Sequence, residues 1–303
     1  MKTVFVVNPA SANGRTGKEW PRLSAKLKSL GVEHEAVMTR APAEATELTA
    51  RALADGADVV VAVGGDGTLN EVANGFFKGK PPEASAIALM PYGTGGDFRR
   101  TLGIPTELEA VAEMLRKGNR RTIDAGRIDM QSLDDIPLTR HFVNIADAGI
   151  GGVVVERVNH ASKVLGGRLT FQLVSLRTLL SYKPQPVEVM SEERNWEGRA
   201  QNVVVANCQY FGGSMHVAPG AKPDDGLFDV VVFGDIGGLE AIRSIQSIYK
   251  AQHVNNPKVT HWRTAELQLL SPERVLIDVD GEMCGTLPAT FKVIPKALNV
   301  IVP

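Results

Sequence analysis

Val59-Val60-Val61-Ala62-Val63-Gly64-Gly65-Asp66-Gly67-Thr68-Leu69-Asn70-Glu71-Val72 is the stretch that decides how this chain is read. An apolar, mostly β-branched run predicts a buried strand. Glycines, an acid and a hydroxyl follow, and Leu69 and Val72 then open a helical spacing. A strand that passes through a glycine loop into a helix is half of a βαβ unit. Backbone N–H groups of such a loop, at a helix N-terminus, form a concavity suited to phosphate. Asp66 is the odd residue there, because a carboxylate repels phosphate unless a cation stands between them. A divalent metal carried by a nucleotide supplies that cation. The plainer reading, a tight turn in which Asp66 or Thr68 caps a helix, stays open on this stretch alone. The loop is not a Walker A motif, and no GxGxxG occurs.

The surroundings repeat the pattern. Thr3–Val7, Glu33–Met38, Val59–Val63 and Ala86–Met90 read as strands, and Lys18–Leu30, Ala43–Ala54, Leu69–Phe77 and Leu108–Lys117 as helices between and after them. This alternation predicts a parallel sheet covered on both faces, with ligands beyond the carboxyl ends of its strands. A second loop at such an end, Pro91-Tyr92-Gly93-Thr94-Gly95-Gly96-Asp97-Phe98-Arg99-Arg100, again combines glycine, hydroxyl, acid and helix start. The first strand ends in a third, Asn8-Pro9-Ala10-Ser11-Ala12-Asn13-Gly14. Three such loops on one sheet edge describe a nucleotide site.

From about Ile123 helical patterns thin out. Strand-like runs appear at Phe142–Ile145, Val187–Met190, Asn202–Ala206, Phe228–Phe233, Glu266–Leu270, Val275–Val279 and Thr290–Ile294. Turns at Pro223-Asp224-Asp225-Gly226 and Asp280-Gly281 separate some of them. Mostly antiparallel β structure is expected, a sandwich or partly closed barrel, interrupted by helices near Ser162–Ser181 and Leu239–Ala251. The 303 residues carry 33 Lys+Arg against 34 Asp+Glu, which argues against a large nucleic-acid footprint. Hydrophobic residues at 44% with 22% charged exclude wholesale disorder. Cys208 and Cys284 form no CxxC or disulfide framework, pointing to a reducing cytoplasm. The apolar start is too short for a signal-peptide core, and no run reaches membrane-spanning length, so a soluble protein is expected.

At this point the residues resemble a known family. Gly64-Gly65-Asp66-Gly67-Thr68 with Asn70 and Glu71 looks like the catalytic domain shared by diacylglycerol, sphingosine and ceramide kinases, and more distantly by NAD kinases. The second loop resembles that family's Pro-x-Gly-Thr-x-Asn-Asp-Phe-x-Arg motif, and Asn8-Pro9-x-Ser11 its opening motif. Phe142-Val143-Asn144-Ile145 leading to Gly149-Ile150-Gly151, then Pro223-Asp224-Asp225-Gly226-Leu227-Phe228-Asp229 and Asp280-Gly281-Glu282, follow in the expected order. The nearest resemblance is to short soluble bacterial lipid kinases. Two departures stand out: Gly96 where the family usually has Asn, and Ala12 where it commonly has Gly.

The resemblance implies an N-terminal three-layer α/β domain over 1–123, with 295–303 as candidates to rejoin it. A β-sandwich domain over 124–294 follows, with an ATP cleft between the two. Asn8, Pro9, Ala10, Ser11, Ala12, Thr39, Gly65, Asp66, Gly67, Thr68, Leu69, Asn70, Glu71 and Thr94 would contact ATP. Asp66, Asp97, Asp124 and Asp280 would order water around the nucleotide's Mg²⁺. Lys222, Asp225 and Leu227 would hold a structural Mg²⁺ through one carboxylate and two carbonyls. Glu282 would be the general base, with Asp66 the alternative, and Asp280 would stand beside it among the catalytic acids.

The lipid end is expected at Ser162–Lys183, where Leu165, Leu169, Leu173, Leu176 and Leu180 recur at helical spacing beside Lys163, Arg168, Arg177 and Lys183. Such a helix suits peripheral contact with a membrane surface, although an ordinary packed helix reads the same way. No residue pattern calls for nucleic acid, and a homodimer is compatible with the sequence. The expected function is an ATP- and Mg²⁺-dependent kinase of a diacylglycerol-like lipid. The alternatives are an NAD kinase-like enzyme, or a nucleotide- or lipid-binding regulator weakened by Gly96.

Overall fold

A computed structural model describes residues 1–79, 82–93, 96–161 and 167–303, apart from the side chains of residues 159, 167–169 and 171. The chain divides into two units, Met1–Asp124 with Pro295–Pro303, and Ala125–Ile294.

The first unit is built on β1 (Thr3–Val7), α1 (Arg15–Ser29), β2 (Glu35–Met38), α2 (Glu44–Ala54), β3 (Val59–Gly64), α3 (Asp66–Lys78), β4 (Ala86–Pro91), α4 (Asp97–Leu102) and α5 (Leu108–Lys117). Strands β2, β1, β3 and β4 lie side by side in that order, all parallel. Asn299 and Val300, near the end of the chain, add a further parallel partner to β4. Every residue of β1 and β3 is buried, as a sheet covered on both faces requires. Because the strands are parallel, their carboxyl ends bring the three polar loops to one edge.

The second unit runs through β5 (Arg120–Gln131), β6 (Pro137–Phe142), β7 (Ile145–Gly149), α6 (Ile150–His160), α7 (Gly167–Ser181), β8 (Gln185–Ser191), β9 (Trp196–Ala200) and β10 (Asn202–Ala206). It continues through β11 (Tyr210–Phe211), β12 (Met215–His216), β13 (Phe228–Phe233), α8 (Gly238–Tyr249), β14 (Val259–Thr264), β15 (Glu266–Leu270), β16 (Leu276–Val279) and β17 (Glu282–Ile301). One antiparallel layer has the order β14-β13-β10-β7-β16-β17, while β6-β5 and β9-β8-β15 extend from β17. Alternate residues of both layers fill the interior, among them Ala146, Ala148, Val203, Val205, Val230, Ile277, Val187, Leu267 and Phe291. The other face of β10 and β13 meets Val217, Ala218 and Ile236, with Ala241 and Ile248 of α8 packed against that cluster.

The parallel sheet followed by an antiparallel sandwich matches the expected fold class. Two local differences have physical reasons. The run read as one strand over Phe142–Ile145 is broken, with β6 ending at Phe142 and β7 starting at Ile145. The N–H groups of Val143, Asn144 and Ile145 all turn to the Asp280 carboxylate instead of a strand partner. Helix α6 was not expected, and its Gly151, Gly152 and the β-branched Val153-Val154-Val155 all have low helix propensity. Those glycines let the helix lie against the sheet: a Cβ on Gly152 would come within 2.8 Å of the Leu276 backbone.

Candidate active site

In the first unit, Asp66 is the residue around which the loops assemble. It begins α3, and its Oδ2 accepts the N–H groups of Gly96 (2.9 Å) and Asp97 (3.1 Å) at the start of α4. Its Oδ1 is buried and has no hydrogen-bond partner among the described residues. One carboxylate thus ties the loop after β3 to the loop after β4 and leaves an oxygen unused. The backbones of the same loops touch, because a Cβ on Gly93 would sit 2.6 Å from Gly65 Cα. Gly96 has φ +112°, outside the left-handed basin that Asn tolerates, so glycine suits this backbone better than the family's usual residue.

The opening loop joins the same edge. Asn8 Nδ2 donates to Thr68 Oγ1 (3.1 Å), and Asn8 Oδ1 accepts the Ala10 N–H (3.0 Å). Ser11 and Thr16 share a hydroxyl contact, and Thr16 donates to the Tyr92 carbonyl at 3.1 Å. Pro9 lies at this turn, and its carbonyl accepts the Gly17 N–H. Thr39, buried, extends the β1–β2 pairing by donating its N–H to the Val7 carbonyl. The geometry therefore draws together Asn8, Ala10, Ser11, Gly65, Asp66, Thr68, Thr16 and Asp97. Leu69 and Asn70 are buried in α3, and Glu71 is turned away, its carboxylate accepting the Ala45 N–H at the start of α2. Asp124 accepts the Lys296 N–H at 2.7 Å and so fastens the returning chain. Thr94 lies outside the described residues, as do Lys163 and Leu165 and the side chains of Arg168 and Leu169.

In the second unit, Asp280 is the first residue of the two-residue turn between β16 and β17, and Glu282 directly follows that turn. Asp280 and Gly281 have φ +51° and +91°, the primed geometry that suits an Asp-Gly hairpin. The two acids diverge, contrary to the expectation that Asp280 stands beside Glu282 among the catalytic acids. Asp280 is folded inward and buried, holding Val143, Asn144 and Ile145 by three N–H bonds of 2.9 to 3.0 Å. Glu282 remains partly exposed, and its Oε2 accepts from Arg140 Nη2 at 3.0 Å. Arg140 was not singled out in the sequence, where it is one more charge on a solvated strand. Only the β5–β6 hairpin carries it to Glu282. Asn207 closes the corner by donating to the Val143 carbonyl at 2.8 Å.

Two cation sites can be tested against these donors. The unused, buried Oδ1 of Asp66 at a phosphate-type loop fits a nucleotide-borne divalent ion. The turn at Lys222, Asp225 and Leu227 fits one poorly. Asp225 Oδ1 accepts the Leu227 N–H, and its Oδ2 pairs with the Arg263 guanidinium, which also reaches Asp229 Oδ2 at 3.3 Å. Arg263 supplies the positive charge that the ion would bring.

An α/β unit with three phosphate-type loops and a β-sandwich unit with a buttressed carboxylate define the class as a two-unit phosphotransferase. Residues 2–128 match the family described as diacylglycerol kinase catalytic domain, and residues 144–302 that described as YegS C-terminal NAD kinase beta sandwich-like domain. The chain belongs to this family of two-domain lipid kinases. It is 27% identical to the diacylglycerol kinase of Bacillus subtilis (strain 168) over 302 residues, covering 99% of this chain and 95% of that protein. The diacylglycerol kinase of Staphylococcus saprophyticus is 27% identical over 301 residues, 99% and 94% of the two chains. A crystal structure from Bacillus anthracis str. Sterne shares the fold, with a TM-score of 0.80 at 24% identity over 100% of this chain and 95% of that one.

Proposed function

We propose that this chain transfers the γ-phosphate of ATP to a hydroxyl of a diacylglycerol-like lipid. The observation that carries the reading is Asp66, which binds two loops through one oxygen while the other, at the start of α3, is buried and without a partner among the described residues. Phosphoryl transfer asks mainly for alignment and charge neutralisation, and these loops offer N–H groups, hydroxyls and one acid in the right places. Magnesium carried by the nucleotide would neutralise phosphate charge beside Asp66 and Asp97. Glu282 takes the proton from the acceptor hydroxyl, and Arg140 holds its carboxylate in one orientation. Asp280 acts from behind, fixing the turn that presents Glu282.

A lipid acceptor is supported by leucines that the fold leaves in water. Leu173, Leu176 and Leu180 of α7 are 49%, 44% and 53% exposed, and Leu239 of α8 is 67% exposed. Arg157, Arg177 and Lys183 are exposed nearby in sequence, a combination suited to peripheral contact with an anionic lipid surface. No helix among the described residues is long and apolar enough to cross a membrane.

The test is transfer of labelled phosphate from Mg-ATP to lipids in mixed micelles. Diacylglycerol is expected to be phosphorylated, and Asp66→Asn to abolish turnover with the purified protein still folded by circular dichroism. NADP formation without lipid phosphorylation would instead identify an NAD kinase. ATP binding without transfer to any acceptor would identify a regulator.

A further inference from the structure

Asp147 of β7 and Asp278 of β16 are direct partners in the antiparallel register, and their relative exposures are 1% and 8%. Their neighbours Ala146, Ala148, Ile277 and Val279 point into the sandwich core, so both aspartates stand on the opposite face. That face is roofed by α6, where a Cβ on Gly151 would collide with the Asp147 carboxylate. Oδ1 of each aspartate is buried without a partner among the described residues. The remaining contacts are the Asn202 side chain on Asp147 and the Gly281 N–H on Asp278. Directly opposed β-carbons are about 5 Å apart, and two carboxylates at such range in a dry site cannot both ionise without a large penalty.

The groups around the pair offer no relief. The strand residues of β10 do not titrate, and Asn202 is an amide. On α6, Glu156 is part-exposed, His160 is exposed, and Arg157 is drawn off to Thr178 and Ser181. Past α7, the half-buried Tyr182 phenol is pushed above its ordinary range by burial and by Asp147. The turn into β17 contributes Asp280 and Glu282, both acids, the second already paired with Arg140. Arg177 and Lys183 are exposed, and Glu273, ahead of β16, is exposed beside Gln185. No cation among the described residues offsets the pair. Burial pushes Asp147 up to about 7, and burial together with Asp147 pushes Asp278 well above the carboxylate range.

We propose that Asp147 and Asp278 work as one carboxyl pair that shares a proton and so positions the Asp280–Glu282 turn. The route is short. Asp278 holds Gly281 of that turn through its carboxyl, and Asp280 holds Ile145, the first residue of the strand that carries Asp147. Losing the shared proton sets two like charges between β7 and β16 and loosens the ladder at the place where Glu282 is presented. Both aspartates are positioning residues, since neither touches the reacting atoms.

The sign follows from linkage. The folded chain binds protons here that the unfolded chain has already released, so this contribution is fully present below the unfolded carboxylate range. It is lost as pH rises through about 7 and on toward the second, higher titration. The stability test is the thermal midpoint of the full chain from about pH 5 to pH 9. Wild type is expected to lose several degrees toward the alkaline end. Asp278→Asn and Asp147→Asn should each lose distinctly less, and stand at or above wild type at the alkaline end. The activity arm rests on the proposed function: the alkaline limb of kcat should move to higher pH in Asp278→Asn, with KM for ATP unchanged.

Identical pH dependence of the midpoint in wild type and both variants would overturn the proposal. So would added Mg²⁺ or Ca²⁺ raising the alkaline midpoint of wild type alone, because the pair would then be a metal site. Should the variants fail to fold, carboxyl carbon-13 titration of aspartate-labelled wild type decides the matter. Two buried aspartates that are both ionised by pH 6 would refute the shared proton. An unchanged alkaline limb of kcat beside the expected stability result would remove the link to the turn. Absence of any lipid phosphorylation would instead strike at the functional reading and leave the stability result standing.

Discussion

Ala12 has φ +51° and Asn13 φ +58°, so two consecutive non-glycine residues of the opening loop sit in the left-handed region. Asn tolerates that region and Ala does not, and the position is where the family commonly has glycine. Ala12→Gly is expected to raise stability by about 0.5–1 kcal/mol, read as a higher urea midpoint at unchanged slope. A lower midpoint would mean that the loop is relaxed with alanine. Arg140 is a different kind of case, a residue whose value depends on one contact. Arg140→Met keeps the aliphatic stem over the sheet but releases Glu282. The expected result is a fall of about tenfold to a hundredfold in kcat with KM for ATP unchanged, partly recovered by Arg140→Lys. An equal loss in ATP affinity would give Arg140 a binding role in place of an orienting one.

At the scale of elements, the turn before β13 shows how one side chain can do what an ion was expected to do. Arg263 on β14 lies opposite Asp229 on β13, and its fork spans Asp229 and Asp225. Burial pushes the Asp229 carboxyl up while the Arg263 charge pulls it down. Removing the guanidinium leaves that half-buried carboxyl without its counter-charge. Arg263→Ala should cost about 1–2 kcal/mol, at the lower end because the guanidinium is partly exposed. It should also free Asp225, so that millimolar Mg²⁺ raises the thermal midpoint of the variant and leaves that of wild type unmoved. A Mg²⁺-dependent midpoint already present in wild type would restore the metal at this turn.

For the whole molecule, the chain ends matter more than their position in the sequence suggests. Leu298, Val300 and Ile301 are buried at 3%, 1% and 0%, and they belong with the first unit although the whole of the second intervenes in sequence. Lys296 N–H is held by Asp124, Val302 N–H by the Asn119 carbonyl, and Asn299 and Val300 pair with Ala86 and Ile87. Deleting 296–303 strips the β4 edge and exposes three apolar side chains, each worth about 1.5–3 kcal/mol when fully buried. The truncated chain is expected to lose cooperative unfolding of the first unit, seen as early proteolysis within 1–124, while 125–294 stays protected. Uniform protection of both units would show that the final segment contributes little.

The parallel unit was legible because its signal is local. Strand, loop and helix follow one another in register, and the requirements of a phosphate loop fall on consecutive residues from Gly64 to Thr68. The turn at Asp280-Gly281 was legible for the same reason. What only the tertiary structure decided lies between residues distant in sequence. Asp66 reaching Gly96, Arg140 reaching Glu282, Arg263 taking Asp225 and Asp147 facing Asp278 all depend on strand order and register, which no run of residues encodes by itself. Arg140, Arg263, Asp147 and Asp278 carried no signal beyond their charge, and a charge on a strand reads as solvated until its partner strand is known. Antiparallel pairing across the second unit determines which of them meet, and burial then converts an acid pair from a surface ornament into a proton-holding site.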